Sequence, residues 1–132
     1  MIGLLLITHG ICGESLFECV RHVQGDTPEQ MACLGVCASD NLDEVVVRAR
    51  ELRDSVESGE GVLVLTDIAG ASPANVALKL LGCAQTACVA GVNLPMLLRT
   101  LTYRHLKLAD LVAKAKAGGR EGVQEMESVK CD

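Results

Sequence analysis

Three short motifs place polar or titratable side chains directly after apolar runs of the chain. They are THG at 8–10, TDIAGASP at 66–73 and GVNLP at 91–95. The first supplies an imidazole at His9, the second a carboxylate at Asp67, and the third an amide. A carboxylate beside an imidazole binds the proton on one ring nitrogen and leaves the other nitrogen available as a nucleophile. The sequence therefore offers the parts of a nucleophilic histidine.

The second motif also offers a place for an anion. Gly70, Ala71 and Ser72 lead through Pro73 into a predicted helix. The first N–H groups of a helix and the positive end of its dipole favour an anion, and the Ser72 hydroxyl adds a donor. Together with His9 this predicts a histidine that takes up a phosphoryl group and a loop that receives its oxygens. No GxxxxGK[ST] or GxGxxG motif is present, so we expect the donor to be another phosphoprotein.

Each of these residues also has an ordinary structural interpretation. A histidine after a strand is often a satisfied structural residue, and Asp67 suits the start of a turn. Ser72 suits a helix N-cap followed by a proline at the first helical position. It is the presence of all three at one predicted edge that favours a functional site. His22 and His105 lie within or beside predicted helical segments and are predicted to be structural or solvent-facing.

The elements that must position these residues follow from the hydrophobic pattern. Short apolar runs alternate with longer amphipathic segments, which is typical of parallel strands joined by crossover helices. The strands are predicted at 2–7, 31–38, 61–66 and 86–92. Helices are predicted at about 14–24, closed by Gly25; from Asp40 or Asn41 to Gly59; from Ser72 and Pro73; around Pro95; and from Leu108.

These elements predict an α/β fold with a doubly wound, mostly parallel four-stranded sheet and helices on both faces. A chain of 132 residues suits one domain, which we assign to residues 1–132. Ligands of such sheets bind at the carboxyl ends of the strands. His9 and Asp67 are therefore expected to meet if the first and third strands are neighbours.

Composition excludes several classes of partner. The net charge is −5, with one Phe, one Tyr and no Trp, which disfavours nucleic acid and anionic membrane surfaces. No apolar run approaches the roughly 20 residues of a membrane span, and the N-terminus lacks the pattern of a signal peptide. Seven cysteines without a CxxC pair indicate reduced, mostly buried thiols in the cytoplasm. We expect no metal site and no cofactor.

Four motifs in register closely resemble one known family. THG, D-x-x-G-x-S-P at 67–73, AGVNLPML at 90–97 and GREGV at 119–123 resemble the enzyme IIA domain of the mannose family of the bacterial phosphoenolpyruvate:sugar phosphotransferase system. The likeness covers nearly all of the chain. It implies the doubly wound parallel sheet that the hydrophobic pattern predicts independently.

The resemblance also implies an activity. His9 would accept a phosphoryl group from phospho-HPr through Nε2 and pass it to an enzyme IIB partner, for sugar uptake or regulation. Asp67 would hold Nδ1, and Ser72 with the loop amides of Gly70 and Ala71 would contact the phosphoryl group. The family forms homodimers that exchange a C-terminal strand, which would give the tail around 120–130 a role.

The loop departs from the family pattern. Ile68, Ala69 and Ala71 stand where familiar members carry a second glycine and often a tryptophan. Ala71 makes a positive φ at its position more costly, and the missing aromatic ring changes a surface that a IIB partner would contact. Phosphate acceptance is expected to survive these changes.

Three other functions stay open. The first is the phosphotransfer subunit of a dihydroxyacetone kinase, which has a similar domain. The second is a non-catalytic anion-binding regulatory domain in which His9 is never modified. The third is a hydrolase using Ser72, His9 and Asp67, although the chain lacks the G-x-S-x-G elbow that exposes a serine nucleophile.

Overall fold

A computed structural model describes residues 1–130, in which strands and helices alternate along most of the chain. The strands are β1 (Gly3–His9), β2 (Met31–Val36), β3 (Val62–Thr66) and β4 (Thr86–Ala90). The helices are α1 (Cys12–Gln24), α2 (Leu42–Val56), α3 (Ser72–Lys79), α4 (Leu94–Thr102) and α5 (Leu108–Glu121). The predicted α/β class is confirmed.

The strands form a single parallel sheet in the order β2-β1-β3-β4. All three pairings are parallel, so the sheet is wholly rather than mostly parallel. Ile7 lies opposite Thr66 on β3, and His9 lies opposite Val36 on β2. Strand β1 is therefore central, and its carboxyl end lies between those of β2 and β3.

Helices cover both faces of the sheet, as predicted. Leu5 and Ile7 of β1 pack with apolar residues of α2 and α3 on one face. Leu4 and Leu6 pack with residues of α1, α4 and α5 on the other. Residues 2–8 are accordingly buried, because a central parallel strand is apolar on both sides. This burial fixes the backbone that carries His9.

Helix α2 shows where local signals succeed and fail. Asn41 is the N-cap, and its Oδ1 accepts hydrogen bonds from the backbone N–H groups of Asp43 at 3.0 Å and Glu44 at 3.2 Å. The helix ends at Val56, three residues before the predicted end at Gly59. The carboxylate of Glu57 accepts hydrogen bonds from the Gly59 and Gly61 N–H groups, which folds the chain into a turn there.

The start of α3 differs from the predicted one. Ala71 is the N-cap, Ser72 is the first helical residue and Pro73 the second, and no side chain caps the helix. The prediction of Ser72 as N-cap is therefore wrong. Ala71 has a φ of −109° and Gly70 has a φ of +83°. The strain expected at Ala71 does not arise, because Gly70 makes the left-handed turn.

Helix α5 continues through two adjacent glycines to Glu121. A Cβ on Gly118 would lie 2.8 Å from the Cβ of Arg99, and one on Gly119 would lie 2.8 Å from the Cε of Met96. The glycines thus allow α5 to pack closely on α4. Residues 123–130 follow without regular structure and are exposed, and exchange of this tail between subunits stays a prediction. The predicted reduced thiol at Cys131 lies outside the described residues.

Candidate functional site

His9 and Asp67 meet at the carboxyl edge of the sheet. His9 is the last residue of β1, and Asp67 follows the last residue of β3. The Nδ1 atom of His9 lies 2.7 Å from Oδ2 of Asp67, and the His9 backbone N–H donates to the same oxygen at 2.9 Å. The expected meeting of the two residues is confirmed, and one carboxylate oxygen holds both the ring and the backbone of the histidine.

The two side chains differ in exposure. That of His9 is 54% exposed, whereas that of Asp67 is 17% exposed. A carboxylate is an acceptor, so the contact favours the tautomer with a proton on Nδ1, which leaves the lone pair on Nε2. The imidazole is thus oriented by a shielded group while the ring itself remains open to a partner.

The environment of Asp67 favours its charged form. Burial raises the pKa of the Asp67 carboxyl, but hydrogen bonds from the His9 backbone and ring and from the Ile68 backbone N–H outweigh burial and lower that pKa below its ordinary value. Hydrogen bonds to the charged form of a carboxyl act in this direction. Asp67 is therefore a carboxylate at neutral pH, as the bond to Nδ1 requires.

Backbone contacts hold the turn after His9, and the sequence interpretation missed them. The Gly10 N–H donates to the carbonyl oxygen of Val36 on β2 at 3.0 Å. The Gly13 N–H donates to the buried Thr8 hydroxyl at 2.7 Å, which ties the first turn of α1 to the end of β1. Gly10 has a φ of +46°, a conformation that glycine adopts at little cost.

The predicted phosphate loop lies at the same edge of the sheet. It joins β3 to α3, and Ile68, Gly70 and Ser72 are exposed. In the first turn of α3 the backbone N–H groups of Ser72 and Ala74 have no acceptors within the helix, and Pro73 has no N–H. The Ser72 hydroxyl makes no capping bond. Of the hydrogen bonds described within residues 1–130, none joins Ser72 to His9. The loop thus presents backbone N–H groups and a hydroxyl near the histidine, and Ser72 is not hydrogen-bonded to it.

The amide of the third motif serves the fold. Asn93 Oδ1 accepts a hydrogen bond from the Met96 N–H at 2.9 Å, and its Nδ2 donates to the Gly119 carbonyl at 3.1 Å. The side chain therefore caps α4 and ties it to α5. The backbone N–H groups of Gly91 and Val92 donate to the Thr66 carbonyl. The third motif thus binds the backbone at the carboxyl end of β3.

Within residues 1–130, neither of the other two histidines has a described bond to a carboxylate. His22 and His105 are exposed. The prediction of mostly buried thiols is wrong, since three of the six described cysteines are exposed and three are half-buried. Partial burial raises the pKa of the Cys33 thiol to about 11, with Glu14 adding to the rise, and it raises that of Cys88 to about 11. Residues 1–130 contain no group of three His, Cys, Asp or Glu side chains suited to hold a metal ion. No helix in that range is both long and apolar enough to cross a bilayer.

Relatives of known sequence carry the same kind of domain. The chain is 29% identical over 130 residues to the mannose-specific EIIAB component of the phosphotransferase system of Escherichia coli K12, which covers 96% of the chain and 40% of that relative. It is 43% identical over 75 residues to the fructose-specific EIIA component of Bacillus subtilis, and this match covers 55% of the chain and 51% of that relative. The chain thus spans about half or less of the curated relatives that it matches.

Solved structures share the fold. The mannose/sorbose-specific IIA subunit of Enterococcus faecalis superposes with a TM-score of 0.87 at 23% identity, over 99% of this chain and 98% of that one. A IIA protein associated with the fucose utilization operon of Streptococcus pneumoniae superposes with a TM-score of 0.74 at 28% identity, and the match covers 87% of this chain and 88% of that one.

The family model for the phosphotransferase-system fructose IIA component, EIIA-man, matches residues 3–116. With this match over most of its length, the chain belongs to the mannose-type EIIA family of the bacterial sugar phosphotransferase system.

Proposed function

We propose that His9 is the phosphorylated residue of a phosphocarrier in this system. The observation that carries the proposal is the 2.7 Å contact between Nδ1 of His9 and Oδ2 of Asp67, on a ring that is half exposed. This contact orients the imidazole so that the Nε2 lone pair is available for bonding to phosphorus.

The transfer conserves atoms and charge. The Nε2 lone pair of His9 forms a new N–P bond while the N–P bond of a phosphohistidine donor breaks, and the donor nitrogen keeps the bonding electrons. Nδ1 retains its proton, shared with Asp67. A second transfer of the same kind delivers the phosphoryl group to the next acceptor: a nucleophile of the acceptor bonds to phosphorus while the Nε2–P bond of His9 breaks, and Nε2 keeps the bonding electrons. In-line positioning of the two proteins supplies most of the acceleration in a reaction of this kind.

The loop between β3 and α3 is proposed to receive the phosphoryl oxygens. Ser72 and the backbone N–H groups of Gly70 and Ala71 are the donors, together with the free N–H groups of the first turn of α3. The positive φ of Gly70 and the uncapped start of the helix support this role, because they leave donors without acceptors at the edge that carries His9.

The donor is proposed to be phospho-HPr and the acceptor an enzyme IIB protein. Family membership supports both, and the Escherichia coli relative is by its name an EIIAB component. We place the reaction in the cytoplasm, which family membership supports. A kinase subunit carrying bound ADP is the alternative acceptor.

A homodimer with exchanged tails is proposed as the assembled form. Strand β4 pairs only with β3 in the described chain, so one of its edges is open. A cleft of about 640 Å³ beside it is lined by Cys88, Gly91 and Val123, among other residues. In the tail, Val123, Met126 and Val129 are 78–88% exposed. An open strand edge can pair with a segment of another chain, and the three apolar side chains of the tail would gain burial there.

The test is phosphorylation from phosphoenolpyruvate by enzyme I and HPr, followed by intact mass measurement. We expect the wild-type chain to gain one acid-labile phosphoryl group and His9→Ala to gain none. His22→Ala and His105→Ala are the controls and should still be phosphorylated, although these two histidines are also exposed in the wild type.

Asp67→Asn is expected to accept phosphate more slowly than the wild type, by about 100-fold, because the imidazole of His9 loses its charged partner.

The same experiment separates the alternatives. Phosphate gained by His9→Ala would overturn the assignment of His9, and a chain that binds inorganic phosphate but is never phosphorylated would be a regulatory domain. Transfer to a kinase subunit with bound ADP, and to no IIB protein, would identify the kinase partner. A hydrolase finds no support in the geometry, since Ser72 makes no described bond to His9.

A further inference from the structure

The turn after β1 folds down onto β2 at Gly35. A Cβ built on Gly35 would lie 2.1 Å from the carbonyl oxygen of Gly10 and 3.1 Å from its carbonyl carbon. Cβ atoms in proteins essentially never lie within 3.0 Å of a heavy atom outside their own and the adjacent residues. The Gly10 carbonyl therefore occupies the space that any other residue at position 35 would need.

This contact lies on the side of His9 opposite to Asp67. In the β1–β2 register Gly35 pairs with Thr8, the residue before the histidine, and Val36 pairs with His9 itself. The Gly10 N–H is bound to the Val36 carbonyl oxygen at 3.0 Å, while Asp67 on the β3 side binds the His9 backbone and ring. The histidine thus lies between the Asp67 carboxylate, which follows β3, and the backbone contact of Gly10 with β2.

We propose that Gly35 is a positioning residue for phosphoryl transfer at His9. By lacking a side chain it lets the Gly10 carbonyl lie against β2, and this fixes the direction in which the chain leaves β1 and hence the placement of the imidazole. The inference rests on the proposed function of His9. A glycine inside a strand pattern signals the close approach of another backbone, and here that backbone is the turn that carries the histidine.

The size of the effect follows from the distance. An alanine at 35 must push the Gly10 carbonyl away by about 1 Å to reach an allowed contact, because the obstacle is backbone and has no rotamer to change. A misplacement of about 1 Å at a reacting group costs on the order of 100-fold in rate. We therefore expect Gly35→Ala to slow phosphate uptake by about 10- to 100-fold.

Gly3 provides a matched control. It is also a strand glycine, and a Cβ there would lie 2.3 Å from the Val56 carbonyl oxygen, but Gly3 begins β1 at the opposite edge of the sheet. Gly3→Ala and Gly35→Ala should both lower the melting temperature, since each forces a methyl group against a carbonyl. Only Gly35→Ala should change the His9 site.

Two readouts are compared at a temperature where both variants are folded. The first is the rate of phosphate uptake from phospho-HPr in a single turnover. The second is the ¹⁵N chemical shift of the His9 imidazole, which reports the Nδ1–Asp67 contact and needs no phosphorylation. We expect Gly35→Ala to change both readouts and Gly3→Ala to leave both at wild-type values.

Every outcome bears on the proposal. Equal slowing in the two variants, or a wild-type rate and imidazole spectrum in Gly35→Ala, overturns the role of Gly35. If the wild-type chain accepts no phosphate, the proposed function fails, and the imidazole spectrum alone decides whether Gly35 positions the ring. If Gly35→Ala does not fold, hydrogen exchange of the Gly10 amide in the unaltered chain decides: protection supports the contact with β2, and exchange as rapid as in the tail overturns it.

Discussion

At the residue scale, the Asp67 carboxylate couples the histidine to the pH dependence of stability. Its pKa in the folded chain lies below the ordinary value, whereas an unfolded aspartate titrates near pH 3.9. Between these two values the unfolded chain binds more protons than the folded one, so stability rises with pH there. The contribution of Asp67 is present above the unfolded pKa and is lost as the pH falls through the folded pKa.

Asp67→Asn should therefore reduce the dependence of the free energy of unfolding on pH at acid pH. We expect the free energy of unfolding of this variant to depend less on pH below about pH 4 than that of the wild type. Urea unfolding followed by circular dichroism between neutral and acid pH measures the difference. Asp26→Asn, at an exposed position, is the control and should keep the wild-type slope. An unchanged slope in Asp67→Asn would contradict the lowered pKa.

At the scale of elements, a buried arginine joins the amino ends of two strands to the α4–α5 connection. The Arg104 guanidinium donates from Nε to the Ile2 carbonyl at 2.9 Å, and from its two terminal nitrogens to the Glu29 carbonyl at 2.6 Å and the Gln30 carbonyl at 2.8 Å. Its side chain is 5% exposed. These acceptors precede β1 and β2. The Gln30 carbonyl also accepts from the Leu4 N–H at 3.0 Å, whereas the described partner of the Ile2 and Glu29 carbonyls is Arg104.

Arg104→Met should destabilise the fold while sparing the site. Methionine keeps the apolar stem but leaves the carbonyl of the buried residue Ile2 without its described partner and removes the bonds to the Glu29 and Gln30 carbonyls. An unpaired buried group costs about 1–3 kcal/mol, and a net hydrogen bond contributes about 1 kcal/mol, so we expect a total loss of roughly 3 kcal/mol. Arg99→Met is the control, because Arg99 pairs with the 63% exposed side chain of Glu121 and surface pairs contribute about 0–1 kcal/mol. Urea unfolding compares the two, and equal losses would rule out the special role of Arg104.

At the scale of the whole molecule, β2 and β4 are the outer strands of the sheet, and within residues 1–130 each pairs on one side only. The exposed apolar side chains of the tail follow α5, which packs against β4. An unpaired edge strand is prone to associate with another chain. The assembly is thus expected to form along β4 and not through the helical faces.

Removal of the tail after Gly122 should convert the proposed dimer into a monomer. The shortened chain keeps all the helices and strands described for residues 1–121, so its far-ultraviolet circular dichroism should match the wild type. Light scattering coupled to size exclusion measures the mass of both forms over a range of concentrations. A shortened chain that stays dimeric, or a full-length chain that is monomeric throughout, would contradict tail exchange.

Local patterns were sufficient to predict most of the elements. Each apolar run became a strand within a few residues of its predicted bounds, and Asn41 and Gly25 mark helix ends as expected. The errors arose where distant contacts or loop geometry decide the boundary. The start of α3 shifts by one residue because Gly70 and Ala71 shape the loop. Helix α2 ends at Val56 instead of Gly59 because the Glu57 carboxylate binds the Gly59 and Gly61 N–H groups.

The site was predictable to the same degree and for the same reason. His9 and Asp67 follow apolar runs, and any parallel sheet brings such residues to one edge. Ser72 was placed at that edge correctly, but its contacts depend on loop conformation that no periodicity encodes. The Asn93 side chain looked like part of the site and instead ties α4 to α5, because its partner Gly119 is distant in the chain.

The alternation of buried runs and amphipathic segments was enough to establish the α/β class and the residues that end each strand. Burial of apolar groups depends on local periodicity, which a chain carries in its order of residues. Three features became known only from the tertiary structure. They are the strand order, the 2.7 Å contact between His9 and Asp67, and the close approach of the Gly10 carbonyl to Gly35. They depend on pairings between segments far apart in the chain, where differences of about an ångström decide which contacts form.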